Sequence, residues 1–481
     1  MHMGCIGSVR INLDGILTII GRWAPARGLR FRGDADSLLH LVAPSDKSSA
    51  RAPLPEGTLP VGIGLLIAGI ASYAFFKVGT WALGGDEPFK PVSALWFATF
   101  ALAPGFFLPL EQELGRALAH RRAIEQGGRP VVRKVLTLGV GLALVVALAI
   151  VIASPVITSA YFDGDWVMLV ALLVAFAAYA PAHIARGISS GSGRFNSYAI
   201  VMGSDGVVRI ALCVALAVVG VKTAGPFGFA VALAPLPGVL YVWSRGYLRT
   251  DEGPEAEWQE VTPNLGWLLL GSVFAAGLVN AGPVATNLLA DDDQSELVTQ
   301  FAYGVLLARV PLFLFQAVQA ALLPRLSRLA ARNELDEFRL GFKRLMKVVL
   351  VVGVGGTIGA FALGPIVIKK FYGADLSRET LAMLALGSAT YMIALAMAQA
   401  VIALKGHALV ALGWGIGMAT FLLVTWLSSD QLFRRVELGL VASSIAALVA
   451  FSVALRSRLR SGVAMTHGSV MDAITDMPFE T

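Results

Sequence analysis

Twelve apolar runs, each long enough to cross a bilayer, constrain this chain more than any other feature. About 20 residues in helical form span the hydrocarbon. The runs lie at 59–82, 91–110, 135–157, 165–184, 197–219 and 225–244, then at 264–290, 300–323, 345–368, 380–404, 407–427 and 437–455. A backbone in lipid must satisfy its own N–H and C=O groups, so the runs are predicted to be helices. Composition points the same way. The chain is 56% apolar and 15% charged, with a mean hydropathy of +0.71, whereas soluble domains carry roughly 25% charged residues. The expected class is an all-α polytopic membrane protein of about twelve transmembrane helices.

The runs fall into two sets of six. Residues 59–244 are read as a first six-helix lobe and 264–455 as a second, joined by a charged inter-lobe loop at 245–263. Residues 1–58 form a polar leader. Its one apolar run, Ile16 to Ile20, is shorter than the roughly 7 to 15 residues of a signal-peptide core. The leader and the tail 456–481 are expected in the cytoplasm. Of the 38 Lys and Arg residues, 28 fall on segments that this topology puts inside and 7 on outer loops, as the positive-inside rule requires. The net charge of +6 is read as this bias rather than as a nucleic-acid surface.

The two halves repeat each other. Ser154-Pro155-Val156-Ile157, then Tyr161-Phe162 and Asp165, reappear as Gly364-Pro365-Ile366-Val367, Phe371-Tyr372 and Asp375, with an offset of 210 for the proline, the aromatic pair and the aspartate. Gly193-Arg194 matches Gly406-His407 at an offset of 213. Leu108-Pro109 and Leu323-Pro324 each precede a basic segment, at 111–134 and 325–347. Six helices separate the copies, so both point the same way, as in a parallel repeat about an axis along the membrane normal. The basic segments are expected as amphipathic or extended stretches on the inner leaflet.

Ionisable residues within the apolar runs mark candidate sites, because charge in lipid is costly. Arg309 lies roughly 13 Å into the eighth helix, beside Pro311, which should kink that helix. Arg209 lies roughly 18 Å into the fifth, four residues after Asp205 and so on the same face. Lys77 lies near the outer end of the first helix. Arg309, Arg209 and Lys77 are the candidate cavity cations, and Asp205 is the candidate coupling carboxylate. Each has a plainer account: snorkelling for Lys77 and Arg309, and a self-neutralised pair for Asp205 and Arg209. His183 stands near a helix end. Glu111 and Glu113 are read mainly as loop acids balancing Arg116. Asn280 and Asn287 flank Gly282-Pro283 and would either line a helix break or bond between helices. Only Cys5 and Cys213 are cysteines, too few for a disulfide framework or a metal cluster. No phosphate-binding GxxxxGK[ST] loop or catalytic constellation occurs, so neither an enzyme nor a cofactor is expected.

Three stretches carry a family resemblance: Pro109-Leu110-Glu111-Gln112-Glu113-Leu114-Gly115-Arg116, Arg186-Gly187-Ile188-Ser189-Ser190-Gly191-Ser192-Gly193-Arg194-Phe195, and Ala308-Arg309-Val310-Pro311 running on to Leu323-Pro324-Arg325-Leu326-Ser327. Over about residues 59–455 the chain resembles the polysaccharide biosynthesis and oligosaccharide flippase branch of the superfamily that also holds lipid II flippases and multidrug extrusion transporters. The resemblance implies two lobes forming a V, a cationic central cavity and alternating access. It implies substrates in which a saccharide is linked through pyrophosphate to a polyprenyl lipid. Membrane lipids, and glycosyltransferases or a polymerase of the same pathway, are the implied partners. By the resemblance Arg309 falls among the cavity cations. The competing expectation is a cation-coupled small-molecule antiporter of the multidrug kind.

Overall fold

The computed structural model describes residues 58–262, 264–312, 315, 329 and 334–460. The leader and most of the tail lie outside the described residues, as does most of the expected span 300–323 beyond residue 312. The first lobe contains α1 (Thr58–Leu83), α2 (Asp86–Ala123), α3 (Arg129–Ile152), α4 (Ser154–Tyr161), α5 (Trp166–Gly191), α6 (Phe195–Val219), α7 (Ala224–Leu233) and α8 (Leu236–Ser244). The second contains α9 (Leu265–Leu289), α10 (Ser295–Ala308), α11 (Leu335–Tyr372), α12 (Arg378–Ala403), α13 (His407–Leu427) and α14 (Leu432–Arg460). Among the described residues, eleven helices are long and apolar enough to cross a membrane. Residues such as Val351 and Trp426 leave most of their surface exposed, which suits a chain whose outer solvent is lipid.

The repeat is visible in the helices. α12 and α13 begin 212 residues after α5 and α6. The repeated motifs nevertheless do different work. Pro155 opens the short α4 after a turn at Ala153, whereas Pro365 lies inside the unbroken α11. Asp165 caps α5, accepting from the Val167 and Met168 amides, whereas Asp375 pairs with Lys369 at 2.8 Å.

Of the two courses expected for the basic segments, amphipathic or extended, the described parts are largely helical. α2 continues as helix from Glu111 to Ala123, and α11 starts at Leu335. Hydrogen bonding within a helix is the cheapest way to carry backbone out of the membrane, and i,i+3 pairs such as Glu113–Arg116 and Asp336–Arg339 neutralise the charges on it.

One aromatic core is centred in the first lobe and extends across the boundary to Phe301, Tyr303 and Leu384, and a second lies within the second lobe. Phe75, Phe76, Phe89, Trp96 and Phe107 are central to the first, and Phe338, Trp414 and Phe451 to the second. Side chains join the lobes along much of their length. The Ser272 hydroxyl donates to the Pro104 carbonyl, Asn280 to the Phe100 carbonyl and Asn287 to the Tyr161 carbonyl. Tyr303 donates to Asp86 at 2.5 Å and meets the Thr80 hydroxyl at 2.7 Å, while Tyr73 donates to the Leu306 carbonyl at 2.6 Å. Tyr303 stacks on Tyr372 with ring centroids 4.2 Å apart.

The inter-lobe loop is strapped to the first lobe. The buried Arg121 guanidinium donates to both carboxylate oxygens of Glu260, at 2.6 and 2.9 Å, and to the Gly127, Pro254 and Glu255 carbonyls. Arg116 donates to the Glu260 carbonyl at 2.6 Å. A side chain at Gly253 would drive its Cβ into the Gly127 carbonyl oxygen, so only glycine lets the loop lie this close. Hydrogen bonds from Arg121 hold the Glu260 carboxyl below the usual carboxylate range. A depressed acid stabilises the fold fully above its unfolded value, about 4.3, and loses that contribution as the pH falls through the lower folded value. Arg121→Met should lower unfolding stability by roughly 2 to 4 kcal/mol at neutral pH. Thermal melts of purified protein should show the wild-type advantage shrinking below about pH 4; a difference unchanged by pH would contradict the strap.

Candidate functional site

The site grows from two backbone carbonyls that proline leaves without donors. Proline has no N–H, so the carbonyl four residues earlier loses its helical partner. Pro104 in α2 frees the carbonyl of Phe100, and Pro283 in α9 frees that of Val279. Buried in lipid, either would cost free energy if left bare. The Asn280 amide donates to the Phe100 carbonyl at 3.1 Å, across the lobe boundary. Arg309 donates to the Val279 carbonyl and, at 3.2 Å, to Asn280 Oδ1. α9 thus runs unbroken through Pro283, and Asn280 and Asn287 bond between helices instead of lining a gap.

The turn Trp96–Phe100 of α2 lies between the two buried arginines. On one side the Arg209 guanidinium carbon sits 4.3 Å from the Trp96 ring centroid and 5.3 Å from that of Phe100. On the other, Arg309 sits 5.4 Å from the Phe97 centroid. Arg209 is 1% exposed and Arg309 9%. Arg209 donates to Asp205 at 2.5 Å, and the Tyr179 hydroxyl faces both Asp205 oxygens at 3.1 and 3.2 Å. Arg209 Nε and Nη1 have no hydrogen-bond partner, so the aromatic faces are what they meet. The pairing expected from the four-residue spacing is therefore present, and aromatic contacts accompany it.

Arg309 is different. Helix α10 ends at Ala308, and Arg309 is its cap, with Pro311 just beyond. Helix resumes at Val310, Pro311 and Leu312, so the expected kink beside Pro311 is a one-residue break at Arg309. No carboxylate among the described residues pairs with Arg309, so its charge rests on carbonyl and amide oxygens and an aromatic ring. It lines a cavity of about 30 Å³ with Val279, Pro283, Ser388, Tyr391 and Ser444, inside the second lobe. That is room for about one water, so a saccharide or drug-sized solute needs the helices to part. Lys77 joins neither arginine: its side chain is exposed on α1, as snorkelling requires.

The residues alone did not disclose a buried cluster at the inner end. Glu111 accepts from Arg186, His183 and Tyr198 and does not serve Arg116, which pairs with Glu113. The signal was present as His183 and Arg186 three apart on one face of α5, but their partner lies more than 70 residues earlier.

The architecture is that of the multidrug and toxic compound extrusion (MATE) transporters. An inward-facing multidrug resistance MATE family transporter of the MOP superfamily matches with TM-score 0.64 and 14% identity, over 84% of this chain and 99% of that one. An outward-facing one matches with TM-score 0.62 and 16% identity, over 84% and 95%. The Vibrio cholerae MATE transporter VcmN in its bent form matches with TM-score 0.59 and 15% identity, over 84% and 96%. No protein-family model matches the chain, and no curated protein matches it significantly by sequence. The likeness is one of fold, and it does not decide between the multidrug and oligosaccharide branches.

Replacing Asn280 with Ala bares the Phe100 carbonyl and should cost roughly 1 to 3 kcal/mol. In a Pro104→Ala background, where the backbone at residue 104 regains an N–H, thermal melts should show a smaller cost. Equal costs in both backgrounds would show that the freed carbonyl is not what Asn280 serves.

Proposed function

We propose that the chain is a membrane transporter working by alternating access, a cation-coupled antiporter of small amphiphilic solutes in the plasma membrane, with both termini cytoplasmic. The observation that carries this is Asp205: a buried carboxylate held by Tyr179 and Arg209 at the centre of the first lobe, in a fold shared with multidrug transporters. Protonating Asp205 would uncouple it from Arg209 and leave a buried cation to be re-paired, a change large enough to favour a different lobe arrangement. The side chains joining the outer halves of the lobes are the contacts that must part for outward opening. Arg309 is proposed to face the solute once the small cavity opens.

A second reading rests on Arg309 itself. A buried guanidinium without a carboxylate suits an anionic head group better than an organic cation. That supports flipping of polyprenyl-pyrophosphate-linked saccharides, alongside enzymes that build or polymerise them. Proteoliposomes containing purified protein separate the two. The antiporter reading expects solute movement driven by a pH gradient, reduced at least about tenfold by Asp205→Asn and weakened by Arg309→Ala. Movement of a lipid-pyrophosphate saccharide without solute transport would replace it with the second reading.

A further inference from the structure

The Glu111 cluster forms a polar ladder with the Asp205 site. Tyr179, His183 and Arg186 lie along one face of α5, and Tyr198 and Asp205 along one face of α6. Glu111 reaches in from α2, where Gly187 allows the approach: a Cβ there would lie 2.9 Å from the Glu111 carbonyl oxygen. Glu111 is 5% exposed and His183 2%. Glu111 Oε2 takes Arg186 Nε at 3.0 Å and lies 2.8 Å from His183 Nδ1, while Oε1 takes the Tyr198 hydroxyl at 2.9 Å. An ion pair that merely locked α2 to α5 would need Glu111 and Arg186 alone, and Tyr198 would suffice to add α6.

His183 adds a property that such a lock lacks. Its Nδ1 faces an acceptor, Glu111 Oε2, and a donor, Arg186 Nη2 at 2.7 Å. Nε2 also lies 3.2 Å from Arg186 Nη2. A protonated Nδ1 donates to Glu111, while Arg186 Nη2, close to both ring nitrogens, lies over the ring face and leaves the Nε2 lone pair open to a proton from the Asp205 side. One turn of α5, about 5.4 Å of rise, separates His183 from Tyr179, whose hydroxyl donates to Asp205, and the relay requires one water across this step.

We propose that His183 and Glu111 form a proton relay between Asp205 and the inner end of the first lobe. This rests on the reading of Asp205 as the coupling carboxylate. A proton leaving Asp205 passes through the bridging water to His183 Nε2, and the ring releases its Nδ1 proton to Glu111. Glu111 then discharges it beside Tyr198 and Arg186, the partly exposed members of the cluster. One proton enters and one leaves, and the ring returns to its start by exchanging tautomers. The charged and titratable groups facing His183 are Glu111 from α2, Tyr179 and Arg186 from α5, and Tyr198 and Asp205 from α6.

The test is a stopped-flow pH jump on the full chain in nanodiscs, read by tryptophan fluorescence. The component lost in Trp96→Phe reports the Asp205 site, because Trp96 stacks on Arg209. His183→Gln is the deciding variant, since it leaves the Glu111–Arg186 pair in place. It should keep the amplitude of the relaxation and slow its rate at least about tenfold, with added imidazole restoring part of the rate in His183→Ala. Tyr198→Phe, which removes one hydroxyl, should slow it less. A His183→Gln rate within about twofold of wild type, at full amplitude, overturns the relay and leaves the Asp205 reading standing. An undiminished amplitude in Asp205→Asn removes the Asp205 reading and the relay with it.

Discussion

A carbonyl without a donor, buried in lipid, has to find one, and this requirement organises the centre of the molecule. Pro104 and Pro283 each release one carbonyl at mid-membrane depth. The donors that answer are Asn280 and Arg309, and Asn280 also accepts from Arg309. The same bonds that satisfy the backbone therefore place a guanidinium at the lobe boundary and tie the lobes together there. The Arg309 guanidinium and the packing of the two lobes share one set of atoms, so moving one lobe must alter the partners of Arg309.

The two arginines solve the cost of burial in different ways. Arg209 has a carboxylate and two adjacent aromatic rings, giving a neutral group whose charge balance depends on the protonation of Asp205. Arg309 has oxygens and a ring but no counter-charge among the described residues. The first is suited to respond to protons and the second to respond to a solute. The aromatic turn of α2 between them, with Asn280 on its Phe100 carbonyl, is a rigid element that both can press against.

Much of this was legible in the residues. The spans followed from hydropathy because lipid leaves helices as the only choice for such runs. The Asp205–Arg209 pair followed from a four-residue spacing, and the freed carbonyls could have been read from the positions of Pro104 and Pro283. Which donor would answer each carbonyl could not, because Phe100 and Asn280 are 180 residues apart. The cluster at Glu111 was hidden for the same reason, and a glutamate beside Arg116 offered a local partner that the fold does not use. The helical course of 111–123 was left open between amphipathic and extended because charged residues at a membrane surface look alike in helix and loop. The motifs that suggested an oligosaccharide flippase describe a superfamily pattern, and solved structures of similar fold include multidrug MATE transporters.

The central claim is that the lobes exchange arrangements about these buried charges, with the outer seal opening and closing. Thr80→Cys and Tyr303→Cys, whose native hydroxyls stand 2.7 Å apart, give a direct test in a background with Cys5 and Cys213 replaced by Ser. Bridging the pair with a short reducible cross-linker in proteoliposomes should abolish transport, and reduction should restore it. Transport that continues while the pair is bridged would contradict the account.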